Sequence, residues 1–123
     1  MSASDVRLDD PGRPVLLTGN EAVARGALEA GIAYASSYPG SPSAEVLEVL
    51  AALAEERGFY AEWSVNEKVA LEEAAAASLA GLRSICIMKA DGLNVALDTL
   101  TALSASGTKG GFVVVVADDP GAH

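Results

Sequence analysis

The sequence is poor in the residues that carry most metal, disulfide and acid–base chemistry. It holds one cysteine, Cys86, and one histidine, His123, in 123 residues. A lone cysteine excludes an intrachain disulfide and any zinc or iron–sulfur site built from cysteines of this chain. Cys86 lies between Ile85 and Ile87 and reads as a small buried hydrophobe in a strand. One histidine leaves no pair to ligate a metal, and no base beside a serine nucleophile. Cationic residues are also scarce: 8 Lys and Arg stand against 17 Asp and Glu, for a net charge of -9. No basic stripe is present to neutralise phosphates, so neither nucleic acid nor an anionic membrane surface is expected as a partner. No run reaches the ~18 apolar residues of a membrane span. Met1 to Pro14 is polar and acidic, without the basic-then-apolar pattern of a secretory signal, so the expectation is a cytoplasmic protein. The G-x-x-x-x-G-K-[ST] and G-x-G-x-x-G nucleotide loops and the G-x-S-x-G elbow are all missing.

Half of the residues are hydrophobic, yet the aromatics are one Trp, three Tyr and two Phe. The apolar content is mostly Ala, Val and Leu, which favours helices packed closely on a sheet. The length suits one domain with a real core.

Residues 1–14, with three aspartates and two prolines, read as a flexible lead-in. Val15 to Thr18 is an edge strand or an extended approach. Asn20 as N-cap and Glu21 in the first turn predict a helix to about Ala30, with Val23, Gly26, Ala27 and Ala30 on its buried side. Gly26 inside that helix suggests close backbone packing, since glycine there costs roughly 1 kcal/mol against alanine. Ile32 to Ser37 reads as strand. Ser41 before Pro42 predicts the next helix start, with Val46, Leu47, Val49, Leu50 and Leu53 as its stripe and Gly58 as its stop. Phe59 to Trp63 is strand, Asn66 to Ala80 helix, Arg83 to Lys89 strand and Gly92 to Ser106 helix. Phe112 to Ala117 is an apolar run that reads as a strand buried on both faces. This alternation predicts an α/β fold: a doubly wound parallel sheet with right-handed crossovers and helices on both faces.

Ligands in such sheets bind outside the carboxyl ends of the strands. The polar groups placed there are Ser37 to Ser43, Ser64 to Glu67, Lys89 to Asn94 and Asp118 to His123. Each also has a plain structural explanation: Ser41 and Ser43 as caps, Lys89 to Gly92 as a turn with a solvated ion pair, Asp118-Asp119 as a strand end. Glu67 stands out. At about 100° per residue it shares a helical face with Ala70, Leu71, Ala74, Ser78 and Gly81, while Lys68 and Glu72 point away. It is either a solvated helix-start charge or a shielded acid able to trade protons.

Gly19-Asn20-Glu21-Ala22, Tyr38-Pro39-Gly40-Ser41-Pro42-Ser43, Glu62-Trp63-Ser64-Val65-Asn66-Glu67-Lys68-Val69-Ala70, Met88-Lys89, Gly92-Leu93-Asn94-Val95-Ala96 and Ala117-Asp118-Asp119-Pro120 occur in this order. In that series the chain resembles the pyrimidine-binding domain of the thiamine-diphosphate-dependent 2-oxoacid:ferredoxin oxidoreductases. Within them it is similar to the N-terminal part of the indolepyruvate ferredoxin oxidoreductase large (alpha) subunit. The resemblance covers residues 15–123 and implies a pyrimidine-binding domain there. It implies that Glu67 is the catalytic helix glutamate that hydrogen-bonds the aminopyrimidine of thiamine diphosphate and promotes deprotonation of the thiazolium carbon. It further implies cofactor contacts from Tyr38, Pro39 and Asn94, and substrate contacts from Ser41, Ser43 and His123, with Ser41 at a position where relatives carry threonine. Relatives commonly show Met-Lys-His-Val-Gly-Leu-Asn, and here Ala90 and Asp91 replace the His-Val pair. The implied reaction decarboxylates an arylpyruvate oxidatively to an acyl-CoA and passes electrons to ferredoxin. The implied partners are a diphosphate-binding domain, a beta subunit, ferredoxin, coenzyme A and the arylpyruvate, in an oligomer. Magnesium and 4Fe-4S clusters would belong to regions outside these residues, and this chain alone would be inactive. The same domain of a pyruvate or other 2-oxoacid enzyme, or a non-catalytic binding module with this fold, are the alternative expectations.

Overall fold

A computed structural model of the chain describes residues 5–121. Helices and strands alternate as α1 Gly19–Glu29, β1 Tyr34–Ser37, α2 Ala44–Arg57, β2 Tyr60–Trp63, α3 Glu67–Leu79, β3 Ser84–Lys89, α4 Ala90–Ser106 and β4 Phe112–Ala117. The four strands form one sheet in the order β2-β1-β3-β4, and every pairing is parallel. The doubly wound α/β fold expected from the alternation is therefore the one present. α2 carries the chain from β1 to β2 in one direction, and α4 carries it from β3 to β4 in the other. Right-handed crossovers place these two helices on opposite faces.

The pleat of β3 divides the core accordingly. Ile85 and Ile87 pack with Ala24 and Ala27 of α1 and with Val46, Leu47, Leu50 and Leu53 of α2. Cys86 and Met88 pack with Ala70, Leu71 and Ala74 of α3 and Ala96 of α4. Fully burying a leucine or isoleucine contributes about 1.5–3 kcal/mol, and Leu47, Leu50, Leu53, Leu71 and Ile87 are all fully buried. The α2 stripe read from the sequence coincides with the residues buried there. Alanines let α3 lie close to the sheet, close enough for two buried serines to reach its carbonyls: Ser36 donates to Ala70 O and Ser84 to Ala74 O, each at 2.6 Å.

Several local readings are corrected. Helix α1 is capped by Thr18, not Asn20: Thr18 Oγ1 accepts from Glu21 N at 3.2 Å, and Glu21 Oε2 accepts from Thr18 N at 2.8 Å. This is a T-x-x-E capping box, which satisfies two otherwise unpaired donors at once. Val15 to Thr18 is an extended approach and not a strand. The buried side of α1 is Glu21, Ala24 and Ala27, while Val23, Gly26 and Ala30 lie outward. A Cβ built on Gly26 meets nothing within 4 Å, so no close packing within these residues accounts for it. Helix α2 begins at Ala44, with Ser43 rather than Ser41 at the N-cap position. The lead-in is tied down over residues 5–10: Val6 is fully buried, Arg25 donates to Val6 O and Leu8 O, and Arg57 binds Asp9 and Arg7 O. β4 is not buried on both faces. It is an edge strand among the described residues, and Val113 is 55% exposed.

Candidate active site

β1 pairs with β2 on one side and β3 on the other, so the strand order reverses there. A crevice at such a reversal, outside the carboxyl ends of the strands, is where open parallel sheets bind ligands. Three segments meet at this crevice. They are the Tyr38–Ser43 turn after β1, the Ser64–Glu67 turn after β2, and Lys89–Gly92, the last residue of β3 and the first three of α4, which starts two residues before the Gly92 expected from sequence.

The Ser64–Glu67 turn is pinned at both ends. Ser64, 9% exposed, donates its hydroxyl to Glu73 Oε2 at 2.6 Å. Asn66 is extended, and its side chain accepts from Val69 N at 2.9 Å, which caps α3 and makes Glu67 the first helical residue. Below Glu67 on the same face, Ala70, Leu71, Ala74 and Ser78 are buried, as the wheel requires; Gly81 lies beyond the helix end and is exposed. Glu67 is partly buried, and among the described residues its carboxylate has neither a hydrogen bond nor an ion pair. Gly92 lies directly against it. A Cβ on Gly92 would come within 2.9 Å of both Glu67 Cδ and Oε1. Only glycine leaves the carboxylate this room.

The Tyr38–Ser43 turn is held from two directions. Lys89 lays its stem across it, so that a Cβ on Gly40 would stand 3.1–3.2 Å from Lys89 Cδ and Cγ. Asn20 donates to Pro42 O at 2.8 Å and to Glu45 Oε2 at 3.2 Å. Lys89 Nζ lies 3.4 Å from Asp91, so the expected ion pair is formed. Under the crevice the Cys86 thiol is pushed up to about 12, by burial first, with a side-chain hydrogen bond shared with Ser36 opposing the rise and the Glu73 and Glu67 carboxylates adding to it. That thiol stays protonated at neutral pH and is no nucleophile. Beside the site, Tyr34 stacks on Tyr60 with centroids 5.4 Å apart and directs its hydroxyl at Glu73 and Glu62, 3.3 and 3.4 Å away. Burial, then those two carboxylates, hold the Tyr34 phenol well above its usual range.

Of the site residues expected from sequence, Glu67 lies against Gly92 of α4, and Lys89, three residues before that glycine, lies against Gly40 of the Tyr38–Ser43 turn. Tyr38, Pro39 and Ser41 are exposed on the turn, and Asn94 is exposed on the first turns of α4. Ser43 is turned inward: it is buried, and its hydroxyl lies 3.4 Å from Gly40 O, so it closes the turn rather than facing solvent. His123 lies outside the described residues. Sequence reasoning missed Gly92 and Asn20 as site residues. Gly92 was read as a helix start, although a glycine inside a first helical turn is itself a sign of close approach. Cap preference alone assigns Asn20 to the helix start, and the T-x-x-E pattern of Thr18 and Glu21 that brackets it is the sign that it is free for another task. Among the described residues, no group of three or more His, Cys, Asp or Glu is placed to hold a metal ion, and no helix is long and apolar enough to cross a membrane.

No family model matches the sequence. Among curated proteins, indolepyruvate oxidoreductase subunit IorA of Thermococcus kodakarensis is 54% identical over 112 residues, which is 91% of this chain and 17% of that protein. The IorA subunit of Archaeoglobus fulgidus is 50% identical over 124 residues, 98% of this chain and 20% of that subunit. The chain thus spans about a fifth or less of the length of these relatives. Among solved structures, a 2-oxoglutarate:ferredoxin oxidoreductase from Magnetococcus marinus superposes with a TM-score of 0.82 at 27% identity, over 95% of this chain and 21% of that one. Over most of its length the chain is therefore homologous to a segment of the indolepyruvate oxidoreductase subunit IorA, and it has the fold of a 2-oxoacid:ferredoxin oxidoreductase domain.

Proposed function

We propose that this chain is the pyrimidine-binding part of a thiamine-diphosphate-dependent indolepyruvate:ferredoxin oxidoreductase, and that Glu67 is its catalytic carboxylate. The observation that carries this reading is the Glu67–Gly92 contact: a partly shielded carboxylate with no partner among the described residues, at a strand-order reversal and given space by a glycine. The residues fit an aminopyrimidine. Glu67 would offer one acceptor or shared proton to a ring nitrogen, Gly92 leaves its side chain the room it occupies, and the exposed Tyr38 and Pro39 would offer an apolar edge. Asn94 adds a polar group on α4. Thiamine diphosphate would supply a carbon nucleophile, once its thiazolium carbon has lost its proton, and a cationic ring that serves as the electron sink for decarboxylation of a 2-oxoacid. This chain's contribution is to hold and polarise the ring. A carboxyl set apart from bulk water makes a stronger, more directional proton-sharing bond than a solvated one. Ser41, exposed on the turn, would offer its hydroxyl to the substrate.

The diphosphate-binding domain, magnesium, iron–sulfur clusters, coenzyme A and ferredoxin enter through the rest of a larger cytoplasmic assembly. The test is Glu67→Gln in the complete enzyme. The fold and melting temperature stay within error, while thiamine diphosphate binding, read by calorimetry, weakens at least tenfold and arylpyruvate decarboxylation falls by more than a hundredfold. Wild-type affinity and turnover would remove Glu67 from the mechanism.

A further inference from the structure

Under the proposed function the crevice receives a 2-oxoacid, whose carboxylate needs a counter-charge. Taking that group out of water without one is costly, and the Glu67 carboxylate and the net charge of -9 both act against an anion. The chain has 8 Lys and Arg, and their positions leave one for this task. Arg7, Arg13, Arg25 and Arg57 are bound up with the lead-in, α1 and α2 through carboxylates and carbonyls there. Arg83 and Lys109 precede β3 and β4 and so lie at the amino ends of the strands. Lys68 bridges α3 to Asp98 of α4 at 2.7 Å. Lys89 remains. It is the last residue of β3, the strand beside the reversal, at the carboxyl end of the sheet. It is also the N-cap of α4, and Gly92 in the first turn of that helix touches Glu67, so one helix start carries both charges of the site. The Lys89 stem lies against Gly40 in the turn that carries Ser41, and its side chain is 23% exposed. Nζ lies 3.4 Å from the Asp91 carboxylate, whose side chain is 79% exposed. A packed stem holds the ammonium in place with little further freedom to lose. A pair with so exposed a carboxylate contributes little, so the ammonium is free to change partners.

We propose that Lys89 binds the carboxylate of the 2-oxoacid substrate and that Asp91 is its resting counter-ion, displaced as the substrate enters. The proposal rests on the reading of the crevice as the site of a 2-oxoacid decarboxylation, and it adds the residue that recognises the acid group. Two carboxylates competing for one ammonium suit this reaction. When the bond between the carboxyl carbon and its neighbour breaks, the carboxylate leaves as neutral carbon dioxide and the bonding electron pair stays with that neighbour. A cation that held the carboxylate alone would stabilise the bound substrate more than the transition state and slow the step. Asp91 limits that loss, because it takes Lys89 back as the negative charge leaves the carboxyl group. Lys89 thus selects for an acid, and Asp91 sets how tightly the acid is held.

The test uses the complete enzyme and two unreactive ligands of one shape, indole-3-propionate and indole-3-propionamide, which lack the 2-oxo group and differ in charge. By calorimetry, the wild type binds the acid about tenfold more tightly than the amide. Lys89→Met keeps a stem against Gly40 and deletes the ammonium, and it brings the two affinities within about twofold. Lys89→Arg restores the preference. Asp91→Asn widens it, and does so only while Lys89 is present. In turnover of an arylpyruvate, Lys89→Met raises KM about tenfold with kcat no lower, whereas Asp91→Asn lowers KM and kcat together. Lys109→Gln, which removes a charge at the other end of the sheet, moves none of these. A preference for the acid that survives Lys89→Met overturns the proposal, as does a Lys89→Met enzyme whose kcat falls while KM holds. An Asp91→Asn effect of equal size with and without the ammonium overturns Asp91's part. Failure of the cofactor reading shows elsewhere: wild-type turnover in Glu67→Gln strikes that reading, and the acid–amide comparison still decides Lys89.

Discussion

Replacing Gly92 with alanine tests how the site is built, because helix energetics and site geometry push in opposite directions. Gly92 is the third residue of α4, and glycine inside a helix costs about 1 kcal/mol against alanine. On propensity alone, Gly92→Ala stabilises the protein. The new methyl, however, lands within 2.9 Å of Glu67 Cδ and Oε1 and closer still to Cγ, nearer than carbon atoms approach. Glu67 must therefore leave its rotamer. The side chain is partly exposed and free of partners among the described residues, so it can swing outward for roughly 0.5–1.5 kcal/mol. The two effects nearly cancel, and the expected change in unfolding free energy is within about 1 kcal/mol. On the proposed role of Glu67, thiamine diphosphate binding does not share in the cancellation. Removing a charge-assisted hydrogen bond costs roughly 1.5–3 kcal/mol, or about ten- to a hundredfold in affinity. The assay pairs urea unfolding with calorimetric titration of thiamine diphosphate into the complete enzyme carrying Gly92→Ala, Glu67→Gln or both. Because both changes remove the same contact, the double variant binds no more weakly than the poorer single one. Wild-type affinity in Gly92→Ala, or single losses that add in full, would refute the idea that Gly92 works by making room for Glu67.

Two further outcomes follow from other parts of the fold. The Cys86 thiol, ordinarily near 9.0, rises to about 12 in the folded chain, so its contribution to stability is complete below about pH 9 and is lost as pH climbs toward 12. That displacement corresponds to roughly 4 kcal/mol at most. Urea midpoints should therefore fall steeply over this window, less steeply in Cys86→Val, with Tyr34→Phe flattening the part above pH 10 because the Tyr34 phenol is raised as well. Thr18→Ala breaks the capping box of α1 and should cost about 0.5–2 kcal/mol in chemical unfolding, whereas Asn20→Ala leaves the helix start intact.

The core and the site differ in how much of each the chain alone discloses. The α2 stripe from Val46 to Leu53 was legible because those residues answer only to helix period and burial. Glu67 was legible as an isolated acid for the same reason: a helical wheel is a local property. The α1 face was misread because Val23, Gly26 and Ala30 are as apolar as Ala24 and Ala27, and which set meets the sheet depends on where α2 sits. β4 was misread because an apolar run signals a preference for burial, while its exposure depends on what lies beside it. Asn20 and Gly92 escaped because their roles are contacts across 22 residues and 25 residues of sequence, with Pro42 and Glu67 respectively.

By itself, the sequence determined the alternation of helices and strands, the parallel sheet, and a carboxylate set at the start of an alanine-rich helix. These follow from periodicity, capping chemistry and chirality, all of which act within a few residues. The tertiary structure alone decided that Glu67 faces a glycine from the next helix, that Lys89 and Asn20 brace the Tyr38–Ser43 turn, and that β4 lies at an edge of the sheet among the described residues. Those outcomes depend on strand order, which is set by pairings between segments far apart in sequence and by the helices that cover each face of the sheet, and no single stretch of chain encodes it.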